Sequence, residues 1–153
     1  MGKIVSRDEL KQHVERLRTE GQKLVFTNGC FDIIHAGHVR YLKEAKALGD
    51  ILIVGLNSDK SVSTIKLGRP VNPQDQRAEV LSALEMVDYV TLFDEETPYE
   101  LIKLLQPDIL VKGGDWKKED IVGSDIAKET CSLPYIQGIS TTEIIERIKK
   151  LSR

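Results

Sequence analysis

Residues 24–48 read LVFTNGCFDIIHAGHVRYLKEAKAL, and the architecture expected for the whole chain follows from this segment. The short apolar run Leu24–Phe26 has the character of a buried strand, and the Asn28-Gly29 pair breaks it. An amphipathic helix is predicted to begin near Gly37. The segment therefore predicts a strand, a turn and a helix, which is the unit from which parallel sheets are built.

Two histidines, His35 and His38, lie at the predicted start of that helix, on either side of Gly37. A helix N-terminus has unpaired backbone N–H groups and the positive end of the helix dipole, so this position suits an anion, above all phosphate. Gly37 would allow a phosphate oxygen to approach the backbone closely. His38 also shares an apolar helical stripe with Leu42, so a core histidine is the competing interpretation. Both histidines and Asp32 in one junction favour a functional role.

Length and composition describe an ordinary globular protein. The 153 residues predict a single domain over 1–153, with residues 1–22 as a helical lead-in. A formal charge of -2 gives no reason to expect a nucleic-acid partner. No segment has the pattern of a signal peptide or the length of a membrane span, so a cytoplasmic protein without a membrane partner is expected. Cys30 and Cys131 have no metal-ligand spacing and are expected to be free thiols.

Apolar runs and helical periodicities alternate along the rest of the chain. Further strands are predicted at Asp50–Leu56, Asp88–Phe93, Asp108–Val111 and Tyr135-Ile136, and further helices after Ser6, after Asn72-Pro73, at Pro98–Leu105, at Ser124–Glu129 and after Ser140. This order predicts an α/β fold with a Rossmann-like, doubly wound parallel sheet in three layers. Neither G-x-G-x-x-G nor G-x-x-x-x-G-K-[ST] occurs, so phosphate would be held by histidines and helix ends.

A cationic segment follows the second predicted strand. Residues 60–74 contain no acidic residue, but they contain Lys60, Lys66 and Arg69. In open α/β sheets, ligands bind beyond the carboxyl ends of the strands, so a loop here could close over phosphates. A solvated surface loop is the alternative interpretation.

Arg77 shares the inward face of a predicted helix, with Asn72 as its N-cap and Pro73 as its first residue. A buried arginine needs an anionic partner, because burial of an unpaired charge is costly. That partner is either a carboxylate in a structural ion pair or a ligand phosphate, and the sequence pattern slightly favours the phosphate.

Two later segments allow both a structural and a functional interpretation. Residues 112–116, KGGDW, form either a surface turn covered by Trp116 or a tight backbone approach that offers charged and aromatic groups to a ligand. Ser140 and Glu143 match a capping box at the start of the last helix. The same hydroxyls could coordinate a phosphate.

With these residues assembled, the chain resembles the HxGH nucleotidyltransferase superfamily, a group of cytidylyltransferase-like enzymes. The signature is present as FDIIHAGH at residues 31–38, and its partner motif as GISTT at residues 138–142. The wording GRPVNPQDQRAEVLSALEMVDYV at 68–90 and LVKGGDW at 110–116 is most similar to members that transfer AMP to a heptose 1-phosphate. The likeness covers nearly the whole chain.

The resemblance implies a reaction in which AMP passes from ATP to D-glycero-β-D-manno-heptose 1-phosphate. The products would be pyrophosphate and ADP-heptose, a precursor of the lipopolysaccharide core. Mg²⁺ is expected, because ATP phosphates usually bind it. The resemblance also implies a homodimer that acts after a separate heptose kinase.

By the pattern of this superfamily, His38 would stabilise the α-phosphate, His35 the leaving pyrophosphate, and Lys66 and Arg77 would clamp phosphate oxygens. The residues that would bind the nucleotide are Asn28, Gly29, Cys30, Phe31, Gly37, Gly113, Gly138, Ser140, Thr141 and Thr142. The residues that would bind the acceptor are Asp32, Asp59, Arg69, Asp115 and Trp116. Asp32, Asp59 and Asp115 would orient hydroxyls or magnesium, and no metal ligand is assigned.

The sequence is compatible with two other functions. Glycerol-3-phosphate cytidylyltransferase shares the GISTT motif, but it carries an arginine-threonine pair before that motif, where this chain has Tyr135-Ile136-Gln137. The difference counts against CTP. A non-catalytic nucleotide sensor with the same fold is a second alternative, although such a binder has no use for groups aimed at a leaving pyrophosphate.

Overall fold

Strands and helices alternate along residues 2–151, the part of the chain that the computed structural model describes. The strands are β1 (Lys3–Ile4), β2 (Leu24–Gly29), β3 (Ile51–Asn57), β4 (Tyr89–Phe93), β5 (Ile109–Gly113) and β6 (Glu129–Leu133). The α-helices are α1 (Arg7–Thr19), α2 (Ala36–Lys46), α3 (Asp59–Ile65), α4 (Gln74–Ser82), α5 (Tyr99–Leu105) and α6 (Thr141–Leu151). A short 3-10 helix, Lys118–Asp120, lies between β5 and β6.

The strands form one sheet in the order β1-β4-β3-β2-β5-β6, and every neighbouring pair is parallel. This confirms the predicted doubly wound α/β fold. From β2 the chain builds outward to β3 and β4, and it then returns to place β5 on the other side of β2. Such a reversal opens a crevice at the carboxyl ends of the two strands beside it, here β2 and β5.

Side chains of the central strand alternate between two apolar cores. Val25 packs into a core with residues of α2 and α4, and Phe26 packs into a core with residues of α1 and α5. Both side chains are fully buried. A strand that is covered on both faces has no polar side, which explains the continuous apolar runs of the sequence. Helix layers therefore cover both faces of the sheet, as the three-layer prediction requires.

The first helices start where the sequence pattern places them. The Ser6 hydroxyl accepts a hydrogen bond from the Glu9 backbone N–H at 3.2 Å, which confirms the predicted cap of α1. Helix α2 begins at Ala36, one residue before the predicted start, and β2 extends to Gly29. The N-terminal segment is more than a helical lead-in, because β1 pairs with β4 at the edge of the sheet.

The predicted loop after β3 is partly helical. Residues 59–65 form α3. The Ser58 hydroxyl caps this helix by accepting the Ser61 N–H at 3.2 Å, and the side chain of Val62, on the inner face of the helix, is buried. The cationic loop is therefore limited to residues 66–73. The predicted Asn72 cap of α4 is also wrong. Pro73 is the N-cap residue, and the Asn72 side chain instead donates to the Asp32 carbonyl at 2.7 Å.

The segment before the last helix was assigned incorrectly from the sequence. The predicted helix at 124–129 is absent from the described structure, where residues 121–128 form turns, and Glu129–Leu133 is the edge strand β6. Tyr135-Ile136, the predicted edge strand, lies beyond the end of β6. The physical reason is non-local, because β6 is defined by its pairing with β5, with Cys131 opposite Val111.

Two expectations from composition can be compared with the structure. Cys30 and Cys131 are free thiols, and both are half-buried. Across residues 2–151, every helix is too short or too polar to cross a membrane.

Candidate active site

A cavity of about 610 Å³ lies at the carboxyl ends of β2 and β5, where the strand order reverses. Asn28 and Gly29 at the end of β2 and Lys112 and Gly113 at the end of β5 line it. The N-termini of α2 and α6 complete its wall. The crevice is the place where α/β sheets bind ligands, so the topology and the cavity indicate the same site.

Both predicted histidines line this cavity, and their rings stack with centroids 3.8 Å apart. His35 is the N-cap residue of α2, and its Nδ1 accepts the Gly37 N–H at 3.1 Å. His38 Nδ1 accepts the His35 N–H at 3.3 Å. Because Nδ1 is the acceptor in each ring, the neutral tautomer carries its proton on Nε2. The pair thus supplies two neighbouring Nε2–H donors.

Burial favours the neutral form of both imidazoles. The pKa of His38 is lowered to about 4, chiefly by burial, with smaller contributions from the nearby charges of His35 and Lys66. Burial also lowers the pKa of His35. Leu42, on the same helical stripe, is fully buried in the core, whereas His38 reaches the cavity. His38 is therefore placed to donate to a ligand, and the interpretation of His38 as a core histidine is not supported.

The turn between β2 and α2 supports the ring of His38. Phe31 has a left-handed backbone with φ 44°, and its ring centroid lies 5.1 Å from that of His38. Only a glycine leaves room for this ring at position 29, because a Cβ on Gly29 would lie 2.9 Å from Phe31 Cε2. The same holds for Gly37, where a Cβ would lie 2.9 Å from the His35 ring. Both glycines therefore serve the packing of the aromatic side chains.

Most of the predicted nucleotide-binding residues come together in the cavity. Its lining includes Asn28, Gly29, Cys30, Phe31, Gly37, Gly113, Ser140 and Thr141. Gly138 lies just before α6 and Thr142 lies in its first turn, and neither residue lines the cavity. Two motifs far apart in the sequence thus meet at one site.

Ser140 caps the N-terminus of α6, which is one half of the predicted capping box. The Ser140 hydroxyl accepts the Glu143 N–H at 3.1 Å and donates to the Glu143 carboxylate at 3.2 Å. The Thr141 hydroxyl donates to the Ile33 carbonyl at 3.4 Å. These hydroxyls line the cavity, but the structure already supplies them with protein partners.

The structure favours a structural ion pair at Arg77 over a phosphate clamp. Its side chain is 0% exposed, and its Nη2 lies 2.9 Å from the Asp59 carboxylate. The remaining bonds of the guanidinium go to backbone carbonyls, namely those of Asn72, Cys30 and Asn57. Arg77 lies behind the cavity and is absent from its lining.

The predicted acceptor-binding carboxylates have other partners. Asp32 is buried, and its carboxylate accepts the N–H groups of Val71 and Asn72 at 2.8 Å. Asp59 pairs with Arg77, as described above. Asp32 therefore anchors the loop of residues 66–73 to the turn after β2. Neither carboxylate lines the cavity.

The cations of that loop differ in their relation to the histidines. Lys66, at the C-terminal end of α3, is exposed, and its charge is close enough to lower the pKa of His38. Its neighbour Ile65 lines the cavity. Arg69 is half-buried outside the lining. Of the two cations in this loop, Lys66 is therefore the one whose charge acts on His38.

Asp115 and Trp116 lie on a surface turn beside the cavity. Trp116 is 46% exposed, and its indole Nε1 donates to the Gly113 carbonyl at 3.1 Å. Lys112 Nζ lies 5.3 Å from the Trp116 ring centroid, which is a cation–π distance. The structure agrees with the surface-turn interpretation of Trp116, and both residues stand outside the cavity lining.

Sequence reasoning missed several residues of the lining. They include Tyr41, Asn57, Glu96, Thr97 and Tyr135. Asn57 could have been found, because it lies at the carboxyl end of a predicted strand. Tyr41 follows His38 by three positions on α2, so it lies on the same helix face. Burial raises the pKa of its phenol well above the ordinary range. No local pattern marks Tyr135.

Known proteins match most of this chain. Residues 26–147 match the family described as cytidylyltransferase-like. The chain is 55% identical over 148 residues to the bifunctional protein HldE of Wolinella succinogenes, covering 96% of this chain and 31% of that protein. It is 57% identical over 143 residues to the same-named protein of Nitratiruptor sp., covering 93% and 31%. The chain thus spans about a third of the length of these relatives.

A solved structure shares the fold as well as the sequence pattern. It is the lipopolysaccharide core biosynthesis protein from Thermoplasma volcanium, with a TM-score of 0.65 and 30% sequence identity. The match covers 76% of this chain and all (100%) of that one. Together with the histidine pair at the switch point of the sheet, these matches show that the chain belongs to the cytidylyltransferase-like family of nucleotidyltransferases.

Proposed function

We propose that this chain is an adenylyltransferase that transfers AMP from ATP to D-glycero-β-D-manno-heptose 1-phosphate. The observation that carries the proposal is the stacked pair His35 and His38, whose Nδ1 atoms are engaged by the backbone and whose Nε2–H groups are left as donors at the cavity. The bifunctional HldE relatives support a role in ADP-heptose synthesis. The name of the Thermoplasma volcanium protein supports a link to the lipopolysaccharide core.

The reaction is an in-line displacement at the α-phosphorus of ATP. An oxygen of the sugar phosphate forms a bond to this phosphorus, and the bond from phosphorus to the bridging oxygen of the β-phosphate breaks. Pyrophosphate leaves with the electron pair of that bond. Charge builds on the phosphoryl oxygens, so donors that are already in place lower the barrier without a covalent intermediate.

Each group of the site has a distinct proposed task. His38 donates through Nε2–H to the α-phosphate, and His35 donates to the departing pyrophosphate. Lys66, an exposed ammonium near His38, adds a positive charge that can follow the phosphates. The backbone of residues 29–31 completes the nucleotide cradle, and the N-terminus of α6 forms part of its wall. Neutral imidazoles suit these tasks, because Nδ1 can accept the backbone N–H while Nε2–H donates to a phosphate oxygen.

Mg²⁺ fits this site as a partner of the substrate. Among residues 2–151, no group of three or more His, Cys, Asp or Glu side chains is arranged to hold a metal ion. Magnesium commonly keeps several waters and binds through substrate phosphates with one or two carboxylates. The cavity offers Glu96 and Glu143 for such contacts. When bound, the ion would neutralise charge on the leaving pyrophosphate.

The base-binding side of the cavity supports ATP over CTP. Tyr135-Ile136-Gln137 takes the place of the arginine-threonine pair that precedes the GISTT motif in glycerol-3-phosphate cytidylyltransferase, and the Tyr135 ring covers the Gly113-Gly114 backbone. A Cβ on Gly113 would lie 3.1 Å from the ring, and a Cβ on Gly114 would lie 2.9 Å from it. A flat aromatic ring over glycines offers stacking area to a purine, and it lacks the charged donor of arginine.

A pyrophosphate-release assay tests the proposal. The chain would be incubated with Mg²⁺ and either ATP or CTP, and with a panel of sugar 1-phosphates and glycerol 3-phosphate. We expect turnover with ATP and D-glycero-β-D-manno-heptose 1-phosphate. Turnover with CTP and glycerol 3-phosphate would establish the alternative enzyme. Nucleotide binding without pyrophosphate release from any pair would establish a sensor.

Three further expectations stay proposals. The substrate is a phosphorylated heptose, so a kinase reaction must precede this one. A cytoplasmic location is also proposed. A homodimer is proposed, and helix α6 offers an apolar surface for it, because Ile148 is 55% exposed and Leu151 is 82% exposed. Sedimentation equilibrium would distinguish a monomer from a dimer.

A further inference from the structure

Arg77 is a buried charged side chain that the reaction proposed above does not use. Its side chain is 0% exposed, and removing a charge from water is costly unless hydrogen bonds and an opposite charge compensate. Four bonds of 2.7–2.9 Å provide this compensation, and they reach separate segments of the chain. The partners of Arg77 are the carbonyls of Cys30, Asn57 and Asn72 and the carboxylate of Asp59.

The first connection leads to the histidine pair. Nη1 of Arg77 donates to the Cys30 carbonyl at 2.7 Å, and this carbonyl belongs to the peptide unit that leads into Phe31. Phe31 has the unusual φ of 44°, and its ring lies against that of His38. Because the peptide orientation fixes where the Phe31 side chain leaves the backbone, holding the Cys30 carbonyl also holds this ring against the imidazole.

The second connection leads to the loop of residues 66–73. Nε of Arg77 donates to the Asn72 carbonyl at 2.9 Å, near the end of the loop. The Asp32 carboxylate accepts the Asn72 N–H, and the Asn72 side chain donates back to the Asp32 carbonyl. Lys66 stands at the start of the same loop. The guanidinium is therefore bonded both to the turn before the histidines and to the loop that begins at Lys66.

We propose that Arg77 is a positioning residue, which joins the histidine-bearing turn to the Lys66 loop and so sets the arrangement of the phosphate-facing donors. This role deepens the proposed function and rests on it. A planar guanidinium has five N–H donors in a fixed fork, and it can bond three carbonyls and a carboxylate at once. A lysine ammonium keeps the charge but has three donors on one atom, so it cannot reproduce these bonds.

The variant Arg77→Lys separates positioning from direct phosphate binding. If Arg77 positions the site, kcat falls on the order of a hundredfold, because small misplacements of reacting groups are that costly. The ratio of the dissociation constants of ATP and adenosine then stays at the wild-type value, because Arg77 itself contacts no phosphate and the donors that it positions act on the charge of the transition state. A direct phosphate ligand would instead raise this ratio on the order of tenfold or more, and that result would overturn the proposal.

A second readout reports on His38 itself. Nitrogen-detected NMR of the imidazole should show a changed His38 signal in Arg77→Lys, since the Phe31 ring beside it would move. An unchanged signal together with wild-type kcat would also overturn the proposal. Val14→Ala is the matched control for lost stability. Val14 is buried in α1 on the other side of the sheet, so this variant should lose stability but keep the wild-type His38 signal and kcat.

A milder variant keeps the test valid if Arg77→Lys does not fold. Asp59→Asn removes the charge partner of Arg77 but keeps an oxygen that can accept the Nη2 bond, and 45% of this side chain is exposed, so the variant should remain folded. Positioning predicts a lower kcat with an unchanged ratio of ATP to adenosine affinity. Selectively tighter ATP binding would mean that the released guanidinium reaches phosphate, contrary to the proposal. If the wild-type chain releases no pyrophosphate, the proposed function fails, whereas the NMR signal and the affinity ratio still test Arg77.

Discussion

The N-termini of α2 and α6 line the same cavity, but they offer different groups to it. At α2, the backbone N–H groups of His35 and Gly37 are bound by imidazole Nδ1 atoms, and each ring keeps an Nε2–H group for a ligand. At α6, the Ser140 hydroxyl both accepts from and donates to Glu143. A histidine cap leaves a second nitrogen for chemistry, whereas a serine cap uses its one oxygen on the helix.

The charges near the two helix ends enlarge this difference. Helix α2 has no acidic residue in its first turn, and Lys66 adds a positive charge near His38. Helix α6 has Glu143 in its first turn. A carboxylate at a helix N-terminus offsets the positive end of the dipole. The end of α2 is therefore the more favourable position for the reacting phosphates, and the end of α6 serves mainly as a wall.

The largest effect is expected for His38→Ala. The loss of one donor to the developing charge should lower kcat by roughly two to three powers of ten, as for other preorganised donors. Circular dichroism should show an intact fold. His13→Ala is the matched control, because His13 lies in α1 against Tyr89. This variant should keep the wild-type kcat. If His38→Ala keeps wild-type kcat, the two helix ends do not differ as described.

A smaller effect is expected for Lys66→Ala. The exposed ammonium can bind phosphate through charge-assisted bonds, so its loss should lower kcat/KM for ATP on the order of tenfold. Lys60→Ala removes an equal charge from the exposed face of α3 and serves as the control. Loss of the folded state in Lys66→Ala would show that this lysine has a structural role instead.

The two helix ends should also differ in the pH dependence of stability. The folded-state pKa of His38 is about 4, below the ordinary value of 6.5. The unfolded chain therefore binds the proton more tightly, and the contribution of neutral His38 is lost as pH falls from 6.5 towards 4. In urea unfolding, the free energy of unfolding of the wild type should fall relative to that of His38→Ala as the pH is lowered over this range. A difference that is constant with pH would contradict the assigned pKa.

The smallest effect on activity is expected for Ser140→Ala. Loss of the cap should lower the free energy of unfolding by about 1 kcal/mol, while KM for ATP stays nearly unchanged. Thr142→Ala, an exposed change in the same turn, should affect neither quantity. A KM that rises on the order of tenfold in Ser140→Ala would show that this hydroxyl binds phosphate. Both helix ends would then take part in substrate binding.

Local patterns predicted the fold well where the elements carry their own signals. The strand at Leu24–Phe26 was predictable because its residues are continuously apolar, and the Ser6 cap was predictable because it depends only on residues of its own helix. The errors fall where stability comes from distant residues. Strand β6 is defined by its pairing with β5, and its own sequence, ETCSL, carries no clear strand period. The short helix α3 depends on the Ser58 cap and on the burial of Val62.

The candidate site divides in the same way. The histidines and the glycines around them lie in contiguous motifs, so their place at a helix start followed from spacing. The role of Arg77 did not follow, because three of its partners are backbone carbonyls, and any residue type supplies a carbonyl. Asp32 was likewise assigned to the substrate, although its carboxylate binds two backbone N–H groups of the loop.

The order of strands and helices and the histidine pair at the start of α2 could be read from the chain alone, since burial periodicity and helix-end chemistry are local properties. The folded structure decided which charged side chains meet solvent and ligand and which hold the backbone. It placed Arg77 behind the cavity and Lys66 near His38. The reason is that the cost of burying a charge depends on partners from distant segments, and these meet only when the sheet has formed.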